Sequence, residues 1–286
     1  MSPTSNRPVA VVTGAAAGLG RAVATVLDEA GFHLVLVDVN PLAHPEAFTE
    51  SPTFLMGDVT DDDFLRRTVR NTIDRHGRID LLVNNAGRVG YTSIDSPLDA
   101  ALHTFEELWR VNTRAPYVLG RLVIPHMIEQ GSGHIVNVST DHVHTCGFPI
   151  ALHHDDSPDC PWSTAPRRPL GGVAFDAYDA SKWALNGITQ VWSAALRRHS
   201  IRVNNLCLGA TDTDMVRGAI RDLAGREPTA SEIASWMPAL DVARLILELH
   251  DEGPHGRTGD NVGVWVGHPM RLPDAHPVTS PRPDLR

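Results

Sequence analysis

The amino-acid sequence predicts an α/β fold: a doubly wound parallel sheet with helices on both faces. Three observations carry this. Short, almost wholly apolar runs recur along the chain, as strands buried on both faces require. Helical patterns lie between them. The first run passes through spaced glycines into a helix and on to a second run, which makes a βαβ unit.

The strand candidates are VAVVTG (9–14), HLVLVD (33–38), IDLLVNNAG (79–87), GHIVNVST (133–140), IRVNNLCLG (201–209) and NVGVWVG (261–267). After Gly20, the residues Val23, Val26, Leu27 and Ala30 fall on one helical face, and Gly31 supplies the stop. No repeat or linker divides the alternation, so residues 1–286 are expected to form a single domain. Two segments break the pattern and are expected as loops: 141–177, rich in His, Asp and Pro, and the Pro-rich tail 268–286.

Composition narrows the function classes. At 42% hydrophobic residues the chain can bury a sizeable core. A formal charge of −9, from 25 basic and 34 acidic residues with no basic cluster, argues against nucleic acid or an anionic membrane as partner. Small molecules are the expected ligands. The opening MSPTSNRP lacks the apolar core of a signal peptide, and no apolar run approaches the roughly 20 residues of a membrane span, so a cytoplasmic location is expected. Cys146, Cys160 and Cys207 are widely separated without CxxC spacing, which suggests reduced thiols and no zinc knuckle.

The stretch TGAAAGLG (13–20) is the first to carry chemistry. Gly14, Gly18 and Gly20 remove side chains where strand turns into helix, so backbone N–H groups and the positive helix end can approach a pyrophosphate. Glycines also serve tight turns, so the loop alone does not decide. The next strand ends in Asp38, eighteen residues after Gly20. Its carboxylate can accept hydrogen bonds from ribose hydroxyls and would repel a 2′-phosphate. Neither Ala15, Ala16 and Ala17 nor Val39 offers the Arg or Lys that a phosphorylated ribose wants. NAD is therefore expected over NADP.

Further motifs follow in order: GDVTD at 57–61, NNAG at 84–87, VN at 111–112, IVNVST at 135–140, YDASK at 178–182 and LGATDT at 208–213. Together with TGAAAGLG and Asp38 they make the chain, over residues 8–267, resemble the short-chain dehydrogenase/reductases of the TGxxxGxG branch. The resemblance implies a Rossmann-like sheet and a cofactor cleft. Gly14, Ala17, Gly18, Leu19, Gly20 and Asp38 would form its first part, Asp58 and Val59 would flank the adenine, and Asn85, Ala86 and Gly87 would line it. Gly209, Thr211 and Thr213 would complete it, with Thr213 holding the nicotinamide carboxamide.

Tyr178 and Lys182 stand four residues apart, on one face of a helix opening near residue 177. Such a pair is ordinarily surface or packing. A phenol, with a reference pKa of about 10, is a poor base at neutral pH, but a neighbouring ammonium and a nicotinium charge favour phenolate. Tyr178 is thus a general acid/base candidate. By the resemblance, Lys182 lowers that pKa and binds the nicotinamide ribose, both residues contact the cofactor, and Asn112 holds a water leading to solvent. Where the family commonly has a serine that orients the substrate oxygen, the alignment puts Thr140, with Ser139 as the alternative. Neighbouring strand residues point in opposite directions, so one of the two is expected to reach the substrate.

Thr140 and Tyr178 lie 38 positions apart, a longer gap than is usual in that family. The insert carries His142, His144, His153, His154, Asp155, Asp156, Asp159, Cys160, Trp162, Arg167 and Arg168. HHDD and HVH match no recognisable zinc spacing, so no metal is expected. A substrate lid, in which His142, Trp162 or an Arg meets a polar or anionic substrate, stands against a solvated excursion. Residues 212–237 correspond to the family's variable lid, where Met215, Ile220, Leu223 and Trp236 either line the pocket or anchor helices. The ending HPMRLPDAHPVTSPRPDLR departs from the family pattern.

The expected function is an NAD-dependent oxidoreductase that interconverts a hydroxyl, as in a secondary alcohol, and a carbonyl on a polar, cyclic or carbohydrate-like molecule. Resemblance implies a homodimer or homotetramer through the Tyr178 helix and its predecessor; Trp183, Ala184, Gly187 and Trp192 are compatible with such packing. Two alternatives stand beside it. An NAD-binding sensor or scaffold without turnover is opposed by the intact Asn112, Tyr178 and Lys182 set. An epimerase or dehydratase using bound NAD is opposed by TGAAAGLG, since such relatives usually read TGxxGxxG.

Overall fold

In a computed structural model, which describes residues 7–143, 175–267 and 270–272, the apolar runs become one parallel sheet. Its strands are β1 (Val9–Thr13), β2 (His33–Asp38), β3 (Thr53–Met56), β4 (Leu81–Asn84), β5 (Gly133–Thr140), β6 (Ile201–Leu208) and β7 (Asn261–Val264), in the order β3-β2-β1-β4-β5-β6-β7. Every neighbouring pair is parallel. The order reverses beside β1, and between β1 and β4 a crevice opens at the carboxyl ends of the strands, where ligands of such sheets bind.

Alternation along the strands feeds two cores. Ala10 and Val12 of β1 face α1 (Gly18–Glu29) and α8 (Ala239–Asp251). Val9 and Val11 face α2 (Asp62–His76), α4 (Ala115–Gln130) and α5 (Asp176–Leu196). Since both faces are covered, β1 and β2 are buried and apolar along nearly their whole length, as the sequence pattern requires, while β4, β5 and β6 also bury polar side chains such as Asn84, Asn137 and Asn205. The remaining described helices are α3 (Leu98–Trp109), α6 (Asp214–Ala224) and α7 (Ala230–Ser235).

Four expectations change. β3, read from TFLM, was not among the strand candidates: it is four residues long, lies at the sheet edge and leaves Met56 exposed, so it shows no buried apolar run. The runs 79–87 and 261–267 are strand only over Leu81–Asn84 and Asn261–Val264, because their ends turn out of the sheet. Ala30 is exposed as the C-cap of α1, while Val23, Val26 and Leu27 are buried. Gly31 has φ +86° and ends the helix as expected.

Cys207 is a buried free thiol in β6; Cys146 and Cys160 lie outside the described residues. Among the described residues no helix is long and apolar enough to cross a membrane, and no cluster of three or more His, Cys, Asp or Glu could hold a metal ion.

Candidate active site

The glycine loop joins β1 to α1, and two of its glycines are required by close approach. A Cβ on Gly20 would stand 2.0 Å from the Gly14 carbonyl oxygen, and one on Gly14, at φ +65°, would stand 2.9 Å from Ala86 Cα. Helix, loop and the NNAG turn are thereby pressed together. α1 opens at Ala17 with no side-chain cap and no acidic residue in its first turn, so its first N–H groups stay available to an anion. By contrast Asp61, Thr213 and Thr229 cap α2, α6 and α7. This cradle of bare backbone fits a dinucleotide pyrophosphate.

Asp38 closes the other side of the cleft. Its carboxylate accepts from Ala16 N at 2.9 Å and from Asn40 N at 2.8 Å, which sets it at the rim of the glycine loop. Pairing of Asp38 with Met56 brings the end of β3 alongside, so that Asp58 and the buried Val59 follow directly. The strand that the sequence pattern missed is thus what delivers GDVTD to the cleft. Asn85 Nδ2 donates to the carbonyls of Thr13 at 2.9 Å and Gly14 at 3.1 Å, and Asn85 N and Ala86 N donate to Thr13 Oγ1.

Asn112 sits in a π-helical turn, Arg110–Arg114, between α3 and α4, a local widening often found at functional sites. It is fully buried, and its amide clasps the main chain of Arg88: Oδ1 accepts from Arg88 N at 2.8 Å, and Nδ2 donates to Arg88 O at 2.9 Å and to Ser181 Oγ at 3.0 Å. Ser181 Oγ in turn donates to Tyr178 O at 2.6 Å. Ser181, one position from Lys182, was not singled out from the sequence, although its i+3 spacing from Tyr178 places it on the same helical face.

A chain of buried amides sets the rotation of α5. Asn84 Nδ2 donates to Asn137 Oδ1 at 2.8 Å, Asn137 Nδ2 to Thr189 Oγ1 at 3.1 Å, Thr189 Oγ1 to Asn205 Oδ1 at 2.6 Å, and Asn205 Nδ2 to Asn186 Oδ1 at 2.8 Å. Three strands are tied to the helix that carries Tyr178 and Lys182. Lys182 is 5% exposed, and its Nζ donates to Val138 O at 2.9 Å. Burial pulls its ammonium down to about 8. Burial, followed by Asp179 and Asp141, pushes the Tyr178 phenol above its ordinary value, while a hydrogen bond with the Thr140 side chain opposes that rise. Part of the Tyr178 surface nevertheless remains open.

Thr140 and Ser139 diverge as strand alternation demands. Thr140 Oγ1 meets the Tyr178 side and accepts from His142 N at 3.3 Å. Ser139 pairs in register with Cys207 and lies against its thiol, which burial pushes up to about 12. Thr213 abuts the glycine loop: a Cβ on Gly18 would be 3.3 Å from its Cγ2. Gly209 passes close to Trp265 and Asp141, and Thr211 bridges to Met237, which closes the base of the 212–237 segment. Within that segment Met215 and Leu223 are 45% and 48% exposed and Ile220 and Trp236 half-buried, α6 buries no side chain, and Met237 alone joins the core.

Beside Tyr178 the structure gathers His142, which the sequence named as a substrate candidate, with Tyr91 and Phe175, which sequence reading passed over: ring centroids are 5.5 Å apart for Tyr91 and Phe175, 5.2 Å for His142 and Phe175, and 6.1 Å for Phe175 and Tyr178. A β-bridge between Thr92 and Phe175, with Thr92 Oγ1 bonded to the Asp176 carboxylate, draws the stretch after NNAG onto the start of α5. Asp179 Oδ1 lies within hydrogen-bond distance, 2.9 Å, of His142 Nδ1. Of the insert, Trp162, the other histidines, Asp155, Asp156, Asp159, Arg167 and Arg168 lie outside the described residues.

Comparison with known proteins matches this arrangement. A family model described as short chain dehydrogenase matches residues 8–147 and 167–224. The short chain dehydrogenase adrF of Penicillium roqueforti is 32% identical over 247 residues, covering 85% of this chain and 80% of its own. Among solved structures, levodione reductase superposes with a TM-score of 0.73 at 25% identity, covering 90% of this chain and 95% of that one. ElxO with NADP bound superposes at 0.71 with 21% identity over 91% and 97% of the two chains, a likeness of fold alone.

Proposed function

Because the chain belongs to the short-chain dehydrogenase family, we propose that it is an NAD-dependent dehydrogenase interconverting a secondary hydroxyl and a carbonyl on a polar, cyclic or carbohydrate-like small molecule. One observation carries the reading: Thr140, Tyr178 and Lys182 converge at the carboxyl ends of β5 and α5's neighbouring strands, with Asn112 joined to the same helix through Ser181. The nicotinamide, when bound, supplies the hydride acceptor or donor.

The residues divide the remaining work. Thr140 Oγ1 and the Tyr178 hydroxyl hold the substrate oxygen between them, and Tyr178 takes or returns its proton. Lys182 sets its charge against the forming phenolate and binds the ribose. A water at the widened turn around Asn112 passes the proton on. Gly14, Ala17, Gly18, Leu19 and Gly20 bind the pyrophosphate and Asp38 the ribose hydroxyls; Asp58 and Val59 flank the adenine, Asn85 to Gly87 line the cleft, and Gly209, Thr211 and Thr213 complete the nicotinamide end. Asp38 supports NAD because a 2′-phosphate beside its carboxylate would meet like charge.

A homodimer or homotetramer belongs to the same reading. Leu98, Leu102, Phe105, Trp109, Tyr117 and Trp183 are large apolar side chains left exposed on α3, α4 and α5, surface that a second copy of the chain would cover. Trp192 is not part of that surface: it is buried against Gly120, where a Cβ would come within 2.3 Å of its ring. The reduced Cys207 accords with a cytoplasmic setting.

The test is formation of reduced cofactor by purified protein, with NAD and NADP in parallel, over sugars, polyols, cyclic alcohols, hydroxy acids and aromatic alcohols. Tyr178→Phe is expected to lower kcat by about 10²–10⁴-fold. Turnover that survives this substitution, or tighter use of NADP, would overturn the corresponding part of the proposal.

A further inference from the structure

We propose that His142, oriented by Asp179, reads a second hydroxyl beside the reacting one, so that vicinal diols and the corresponding α-hydroxyketones are the preferred substrate class. This rests on the dehydrogenase reading and adds to it the feature that selects the substrate. His142 follows β5 two residues after Thr140, and its Nδ1 lies 2.9 Å from Asp179 Oδ1. A carboxylate only accepts, so Nδ1 carries the hydrogen, and in the neutral ring Nε2 is left as an acceptor for a ligand hydroxyl.

The ring is fixed from several sides. It stands nearly perpendicular to Tyr178, with centroids 6.3 Å apart, and to Phe175 at 5.2 Å, while its backbone N–H donates to Thr140 Oγ1 at 3.3 Å. Asp179 is the residue after Tyr178, so the turn of α5 that aims the phenol also aims the imidazole. Both His142 and Asp179 keep about a quarter of their side chains accessible, at 23% and 25%, so the pair borders the cleft rather than the core.

Oxygens on adjacent carbons lie about one hydrogen-bond length apart. A substrate with one oxygen between Thr140 and Tyr178 therefore presents the next toward the neighbouring imidazole. Across Phe175, Tyr91 Oη is buried and has no hydrogen-bond partner among the described residues, a second polar atom that an oxygen-bearing ligand would satisfy. The ring faces of Phe175 and Tyr91 suit the carbon skeleton between those oxygens.

The experiment compares kcat/KM for cis- and trans-cyclohexane-1,2-diol with that for cyclohexanol, using wild type, His142→Phe, His142→Gln and Asp179→Asn. Wild type is expected to favour a diol at least tenfold. His142→Phe should reduce that ratio at least tenfold, with His142→Gln, which keeps an acceptor, and Asp179→Asn in between. A wild-type ratio near one, or equal losses on diol and mono-alcohol in the variants, overturns the proposal and identifies the pair as a structural pin. If the productive substrate is another compound, the same comparison is made with its analogue lacking the neighbouring hydroxyl. No Tyr178-dependent turnover of any alcohol with either cofactor overturns the dehydrogenase reading itself, and the present proposal falls with it.

Discussion

Thr140 and Ser139 are adjacent, and one backbone step separates a hydroxyl facing Tyr178 from one facing the Cys207 thiol. Thr140→Ala is expected to lower kcat about 10²-fold, as loss of a hydrogen-bond donor to a reacting oxygen does, with Ser139→Ala within a few-fold of wild type. The reverse pattern in steady-state kinetics would move the role to Ser139. Lys182 offers a thermodynamic test. Burial holds its folded-state pKa at about 8, below the unfolded value of about 10.4, so the unfolded chain binds more protons between those values and stability there rises with pH. Below about 8 the full cost of the buried ammonium is present. Lys182→Met should therefore be inactive yet more stable than wild type at pH 7, by an amount on the order of 1–3 kcal/mol. In urea unfolding that gap should shrink as pH rises from about 8 to about 10; a gap constant in pH would remove burial of the charge as its cause.

At the scale of elements, the glycine loop works because α1, the loop and NNAG touch through bare backbone. Gly20→Ala would place a methyl 2.0 Å from the Gly14 carbonyl oxygen and 2.5 Å from Asn85 Nδ2. Either the helix retreats or the NNAG turn shifts. We expect a loss of stability of roughly 1–3 kcal/mol together with at least tenfold weaker dinucleotide binding, measured by thermal unfolding and by fluorescence titration. Unaltered binding would mean that the loop tolerates the side chain. Helix α5 is held differently, by amides that reach it from Asn137 and Asn205 through Thr189 and Asn186. Buried amides are costly when unpaired, so their satisfaction selects one rotation of the helix, and with it the direction of Tyr178 and Lys182.

For the whole molecule, the exposed apolar side chains of α3, α4 and α5 predict self-association. Trp183, exposed on α5, is a direct probe. Trp183→Glu should lower the molar mass found by light scattering on a sizing column to that of a monomer, because a charge on the covered face would be buried without a partner. A wild type that is itself monomeric would sink this expectation.

Much of this was legible in the sequence, for identifiable reasons. Strands buried on both faces read as near-continuous apolar runs, and 9–14 and 33–38 showed it; glycines were placed where backbones must meet; Tyr178 and Lys182 had a helical spacing that ordinary sterics interpret. The edge strand β3 was not legible, since an edge needs no continuous apolar run, and Ala30 followed the helical period yet fell beyond the last buried turn. The choice of Thr140 over Ser139 depends on which way the end of β5 faces. The meeting of His142 with Asp179, 37 positions along the chain, and of Tyr91 with Phe175 depends on the chain closing on itself. Periodicity reports the side of an element that is buried, because burial repeats with the backbone geometry. It carries no signal for contacts between residues distant in sequence, whose distances are set only when the sheet and its covering helices have packed.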